Sequence, residues 1–277
     1  MKKFSMMFLL MLAAILLLAA CGQDTEDTEQ DSGTTGDAPE ETGDDLWASV
    51  QEEGVLRVGT EGTYPPFTFH DDSNDLTGFD VEIAREVADR LGVEVEFMET
   101  QWDGMFAGLD SGRFDMVANQ VGIREDRIES YDFSDPYISS VAVLVTAEGN
   151  EEIQSFEDLE GKTSAQSLTS NFADIATSYG AELTGVEGFN QAIELLNSGR
   201  VDATINDNLT VLDFLNQRPD ASVQIVDEAD DASQSGLLFR KDSGAIVDEV
   251  NQALADMIED GTYDEISQKW FGENVLE

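Results

Sequence analysis

Cysteine and histidine each occur once in this chain of 277 residues, and those two shortages exclude whole classes of chemistry. Cys21 alone cannot form an internal disulfide. Cys21 and His70 together cannot build a Cys/His metal cluster. A Ser/His/Asp set would have to use His70, which sits in the polar stretch Phe69-His-Asp-Asp-Ser and is expected to be solvated. Basic residues are scarce too: 14 Lys and Arg face 59 Asp and Glu, for a formal net charge of −45. Nucleic acid needs a basic face, so it is excluded as a partner. The acidity reads as a solvated surface suited to high salt or high pH outside the cell. No D-x-[DN]-x-[DN]-G loop with its terminal glutamate is present, so calcium does not account for it. No cofactor, metal or catalytic residue is expected.

Long apolar runs are equally rare, and the one conspicuous example opens the chain. Lys2 and Lys3 precede an apolar stretch over 4–20, and Leu18-Ala-Ala-Cys21 closes it. A charged start, an apolar middle and small residues before a cut site describe a secretory signal peptide over 1–20. The run is at the short end for a membrane span. Leu18-Ala-Ala-Cys21-Gly resembles the lipobox of bacterial lipoproteins, in which the cysteine is lipidated and becomes the mature N-terminus. The Asp/Glu/Thr/Gly-rich residues that follow lack apolar periodicity, so 21–45 reads as a lipidated cysteine followed by a flexible, self-repelling tether. A body held at the outer face of a membrane is the expected layout.

Beyond the tether the pattern is strand–helix–strand–helix–strand. A short helix over 47–53 precedes a strand over 55–59 and a loop over 60–67 with two prolines and two aromatics. A helix with apolar residues at 81, 83, 84, 87, 88 and 91 stops at Gly92. Strands over 93–97 and 114–118 flank a helix over 102–109. Such alternation argues for a mostly parallel sheet with helices on its faces, and ligands gather at the carboxyl ends of such strands. A strand over 141–146 then leaves this unit. The second unit has a weak strand over 163–166 and a helix opened by Ser167-Leu-Thr-Ser-Asn171, whose free N–H groups suit an anion. Strands over 185–188 and 201–205 follow, separated by a helix over 190–197. Asn206-Asp207-Asn208 ends the last of these, before a helix over 209–215. Gly108-Leu-Asp-Ser-Gly-Arg-Phe-Asp115 resembles Leu195-Leu-Asn-Ser-Gly-Arg-Val-Asp202, so two similar units are expected. A strand over 235–239 and helices over 246–258 and 263–271 return to the first. That gives lobe 1 over 46–140 plus 235–277, lobe 2 over 141–234, and a two-strand hinge between them.

The stretch Asn119-Gln-Val-Gly-Ile-Arg-Glu-Asp-Arg127 follows the third strand of the first unit. A strand, a polar loop broken by Gly122 and a short helix bearing Arg127 would aim N–H groups and a guanidinium into one crevice, which suits a carboxylate. The alternative is a surface Arg127 paired with Glu125, Asp126 or Glu129.

Several motifs together resemble the bacterial extracellular solute-binding proteins of family 3, the polar amino-acid receptors of ABC importers. They are Gly59-Thr-Glu-Gly-Thr-Tyr-Pro-Pro-Phe67, Leu76-Thr-Gly-Phe-Asp80, the 119–127 stretch, Asp132-Phe-Ser-Asp-Pro-Tyr137, Leu159-Glu-Gly-Lys162 and Asp260-Gly-Thr-Tyr263 with Lys269-Trp-Phe-Gly272. The resemblance covers about 47–277. Gln101-Trp-Asp-Gly-Met105, Ala118-Asn-Gln-Val121 and Ser164-Ala-Gln-Ser-Leu-Thr-Ser-Asn171 look most like the cystine-binding branch. The resemblance implies a type II periplasmic-binding-protein fold, two α/β lobes that clamp an amino acid, here L-cystine. It implies a monomer that delivers its ligand to permease subunits. Carried over by position, Arg127 and the Gly122 N–H hold the ligand's α-carboxylate, with N–H groups of Thr169 and Ser170 from the other lobe. Asp207 takes the α-ammonium, with a carbonyl from Asn119 or Gln120. Glu61, Tyr64 and Trp102 surround the side chain, the two aromatics sandwiching it. Arg124 departs from the family's usual threonine. The implied fold is shared with cyclohexadienyl dehydratases, for which Glu61 is the one obvious acid. A sensory module is the other alternative, but it would carry a later transmembrane helix or a signalling domain, and neither is seen.

Overall fold

Apolar alternation and helix stops set out two sheets with the same internal order. The computed structural model describes residues 44–276; the signal peptide, Cys21 and the tether through residue 43 lie outside them. In the first sheet the strands run Glu94–Glu99, Val55–Thr60, Met116–Val117, Leu238–Arg240 and Tyr131–Phe133. The first three are parallel, and Leu238–Arg240 is antiparallel to both neighbours. In the second sheet the order is Glu182–Gly185, Thr163–Gln166, Ala203–Asp207, Ala142–Ala147 and Val223–Glu228. Again three strands are parallel, and Ala142–Ala147 runs against both of its neighbours. Each sheet therefore has the first of its three parallel strands in second place and an antiparallel strand in fourth.

The repeated octapeptides explain part of this likeness. In each unit a helix ends at a glycine with positive φ, Gly112 at 69° and Gly199 at 66°, where a side chain would strain the backbone. An aspartate then clasps the unit's first strand. Asp115 Oδ2 accepts the Arg57 N–H at 3.0 Å, and Asp202 Oδ2 accepts the Thr163 N–H at 2.8 Å. The Asp115 and Asp202 N–H groups return to the carbonyls of Arg57 and Thr163 at 2.8 and 2.9 Å. The repeat is a stop-and-clasp device, and it fixes where the third strand enters.

The helix Phe79–Leu91 buries Val81, Ile83, Ala84, Val87 and Ala88, as the 3.6-residue spacing requires, and Gly92 ends it. The C-terminal helices Gly244–Asp260 and Thr262–Phe271 pack on that helix and on the first sheet through Val250, Leu254, Met257 and Tyr263. Phe114 wedges between Gly59 and Gly108: a Cβ at either glycine would lie 2.6 Å from its ring. The chain passes between the sheets at Ile138–Ser140 and Ser233–Ser235, which pair antiparallel with Ser140 opposite Ser233.

Several elements differ from the sequence-based reading. The first helix spans Asp44–Glu53, so it begins inside the stretch read as tether. The loop after the first strand holds a small ribbon of Thr63–Tyr64, Thr68–His70 and Leu76–Thr77. The strand expected over 185–188 is Glu182–Gly185, because it pairs in register with Thr163–Gln166. The helix expected to open near Ser167 begins at Asn171. Val223–Glu228 and Tyr131–Phe133 were not expected, and the single strand over 235–239 is two, Ser233–Ser235 and Leu238–Arg240. Val223–Glu228 shifts register at Ile225/Asp227, which breaks its alternation. His70 is half-buried rather than free: its Nε2 lies 3.0 Å from the Glu99 carboxylate and its Nδ1 3.1 Å from the Asn74 carbonyl. Glu99 holds its pKa above the usual histidine value. Among the described residues no helix is long and apolar enough to cross a membrane, and no group of acids, histidines and cysteines could hold a metal.

Candidate functional site: the cleft between the sheets

The carboxyl ends of the parallel strands of both sheets deliver their next residues to one cleft. Its empty space, including the open mouth, is about 740 Å³. Val55–Thr60 leads to Glu61, Met116–Val117 to Asn119 and Gln120, Thr163–Gln166 ends on Gln166, and Ala203–Asp207 ends on Asp207. Glu61, Tyr64, Trp102, Asn119, Gln120, Gly122, Ser170 and Asp207 all line it.

On the wall of the first sheet, Asn119 is the central linker. Its Oδ1 accepts the Glu61 N–H at 2.8 Å and its Nδ2 donates to Glu61 Oε2 at 2.7 Å. Burial pushes the Glu61 carboxyl up to about 7 against that hydrogen bond. Gln120 adopts a positive φ of 53°. Buried Asp80 holds it there, accepting the Gln120 N–H at 2.8 Å and its Nε2 at 2.9 Å. Gln120 Oε1 and Trp102 Nε1 are buried without a protein partner.

Arg127 lies just behind this wall, on the short helix Glu125–Ile128, and is only 6 % exposed. Its Nη1 donates to the Gly122 carbonyl at 3.1 Å. Its guanidinium carbon sits 5.5 Å from the Trp102 ring centre and 5.3 Å from that of Phe106. Burial, with the nearby Arg124 charge, lowers its pKa to about 10. No acid pairs with it among the described residues, so the surface pairing with Glu125, Asp126 or Glu129 does not occur. Gly122 bridges to Ser235 through its neighbours, Ile123 N to the Gln234 carbonyl and Gly236 N to the Val121 carbonyl. That bridge leaves the Gly122 N–H uncommitted.

On the facing wall, buried Asp207 caps the helix Asn208–Gln217, accepting the Leu209 N–H at 2.9 Å and a bond from the Ser140 hydroxyl. Burial still pushes its carboxyl up to about 6. Ser170 caps Asn171–Ser178, its hydroxyl accepting the Ala173 N–H at 3.1 Å. Thr169 is not in the cleft lining. Its hydroxyl donates to Asp103 Oδ1 at 2.7 Å and its N–H to the same atom at 3.3 Å. The N–H donors expected from Thr169 and Ser170 are thus both engaged, the first by an acid from the opposite wall and the second by the Ser167 carbonyl at 3.0 Å. Tyr64 and Trp102 line the cleft but also pack in cores, Tyr64 beside Phe67 and Trp102 with Met105 and Phe114.

Gln166, Thr204, Asn206, Phe189, Ser233 and Ser235 also line the cleft. Strand-end position could have flagged Gln166 and Asn206. Ser233 and Ser235 reach it through the crossing strand, which local sequence does not announce.

Three contacts span the cleft: Tyr64 Oη to Asn206 Oδ1 at 2.8 Å, Thr169 to Asp103, and Arg124 Nη1 to Asp174 Oδ2 at 2.8 Å. The lobes are therefore together.

Comparison with known proteins agrees in sequence and shape. The chain is 52% identical over 99% of both chains to the "L-cystine-binding protein TcyA" of Bacillus subtilis (strain 168). The L-cystine solute receptor of Neisseria gonorrhoeae, in its unliganded open conformation, is 46% identical over 84% of this chain and 99% of that one, with a TM-score of 0.56. An ancestral arginine-binding protein bound to arginine is 40% identical over 79% of this chain and 98% of that one, yet its TM-score is 0.75. The more similar sequence has the less similar shape, which matches the closed arrangement seen here. The architecture is the type II periplasmic-binding-protein fold, two α/β lobes around a cleft. Residues 56–273 match the family model, and the chain belongs to the bacterial extracellular solute-binding proteins, family 3.

Proposed function

We propose that the protein captures L-cystine outside the cytoplasmic membrane and hands it to the permease subunits of an ABC importer. The observation that carries this reading is Arg127: a buried guanidinium behind the cleft wall, without an acid partner among the described residues. A buried charge is costly unless paired, and a ligand carboxylate supplies the pair. Asp207, on the other wall, offers its buried carboxylate to the ammonium of the same zwitterion. Only closed lobes satisfy both ends, so the ligand biases the pair of lobes towards closure. The Gly122 N–H adds to the carboxylate site, and Gln120 Oε1 offers an unpartnered acceptor to the ammonium. Glu61 with Asn119 and the aromatics Tyr64 and Trp102 face the rest of the molecule, which for cystine is a second amino-acid half.

The rest of the reading follows from the sequence. Residues 46–140 with 235–277 form one lobe and 141–234 the other, turning about the paired crossing strands. Cys21 carries the lipid that anchors a monomer to the membrane's outer face, and no chemistry is performed on the ligand.

Calorimetric titration of the full-length protein, freed of ligand, tests the proposal. Cystine should bind, single amino acids should bind more weakly, and Arg127→Ala and Asp207→Ala should each weaken binding by about thirtyfold or more. No binding of any amino acid by folded protein would overturn it. Cys21→Ala should move the protein from the membrane fraction to the soluble one; retention in the membrane would overturn the anchor.

A further inference from the structure

The three guanidinium nitrogens of Arg124 divide between the two lobes. Nε and Nη2 bind the two oxygens of Asp126 on its own lobe, at 2.9 and 3.0 Å. Nη1 pairs with Asp174 Oδ2 at 2.8 Å, on the helix Asn171–Ser178 of the other lobe. Asp126 thus orients the fork so that one nitrogen is left to reach across the mouth of the cleft. Beside it, Asp103 of the first lobe accepts from Thr169, just before the start of the same helix. Both contacts exist only when the lobes meet.

The setting makes this cation consequential. A chain with a formal net charge of −45 closes by bringing two acidic bodies together, and that repulsion opposes closure. At the seam Arg124, already neutralised in part by Asp126, meets Asp174 at 2.8 Å. We propose that Arg124 is a positioning residue for closure: its bond to Asp174 stabilises the closed lobes and so tightens ligand capture, without touching the ligand. The proposal rests on the clamp reading above.

A double-mutant cycle on the full-length protein tests it, with Arg124→Gln, Asp174→Asn and both together, titrated with L-cystine. Partly exposed ion pairs are worth little, so each single change should weaken binding about twofold to fivefold at low salt. The double variant should bind no more weakly than either single one. The gap from wild type should close at about 1 M salt, where the screening length is about 3 Å. Losses that multiply in the double variant, or that persist undiminished in high salt, would overturn the proposal. If wild type does not bind cystine, the ligand reading fails and small-angle scattering of the same four proteins decides the clasp. Arg124→Gln and Asp174→Asn should then give a larger radius of gyration than wild type at low salt. Identical scattering curves would overturn it.

Discussion

Asp80 holds Gln120 with both carboxylate oxygens, one on its main-chain N–H at 2.8 Å and one on its side-chain nitrogen at 2.9 Å. This grip keeps a non-glycine residue in the left-handed region at a φ of 53°, a conformation that persists only when its surroundings enforce it. Asp80→Ala should therefore disorder the Gln120 corner and weaken ligand binding about tenfold, the order expected for losing hydrogen bonds to a charged group. Calorimetry beside a thermal melt separates lost binding from lost folding. Unchanged affinity in a folded variant would show that the corner sets itself.

The same carboxyl belongs to a set that titrates near neutrality. Burial pushes Glu61 and Asp80 up to about 7 and Asp207 to about 6. All three bind protons more tightly folded than unfolded, where their values are about 4. Their contribution to stability is therefore full below about pH 4 and is lost as pH rises through 6 to 7. The ligand-free protein should melt progressively lower across that window, and Asp80→Asn should flatten the fall. Melting temperatures against pH for both proteins check this; parallel curves would remove Asp80 from the account.

Arg127 links function to a cost in stability. Truncating one partner of a buried charge pair typically costs 2–5 kcal/mol of binding, so Arg127→Met should weaken ligand capture by about thirtyfold or more. In the empty protein the guanidinium has no acid to lose, and its replacement packs on Trp102 and Phe106. The ligand-free variant should melt no lower than wild type. A marked loss of melting temperature would show that Arg127 holds the fold rather than the ligand.

Phe114 is the wedge between strand Val55–Thr60 and helix Trp102–Asp110, fully buried against Gly59 and Gly108. Phe114→Ala should cost about 3–5 kcal/mol through the cavity it leaves. Gly59→Ala should cost about 1–3 kcal/mol by overpacking. Denaturant unfolding of each variant measures both. A near-neutral Gly59→Ala would mean that the ring can shift aside.

Much of this was legible because it is local. The apolar spacing of Phe79–Leu91 and the polar residues after each parallel strand follow from periods that the sequence displays. The pairing of the octapeptides pointed to two like units, and Asp115 and Asp202 turned out to do the same work in each. What stayed hidden depends on partners far along the chain. Val223–Glu228 is a strand because Ala142–Ala147 lies beside it, and its bulge erased the alternation. Thr169 matched a ligand position by local motif, yet Asp103, from the other lobe, claims its N–H and hydroxyl. His70 lies in a polar stretch and still finds Glu99, which only the ribbon's fold brings near.

The strand order has a consequence for the sequence of assembly. Every strand of the second sheet comes from within one continuous span, Ala142–Ala147 to Val223–Glu228. The first sheet is different: Leu238–Arg240, from late in the chain, inserts between Met116–Val117 and Tyr131–Phe133. Closing so long a loop is slow relative to local pairing. In pulse-labelled hydrogen exchange during refolding, amides of Ala203–Asp207 should be protected before those of Leu238–Arg240, and the reverse order would refute this. The half that begins the chain is then the last to be completed, so a molecule cut short before Leu238 keeps its second wall and loses the one bearing Arg127.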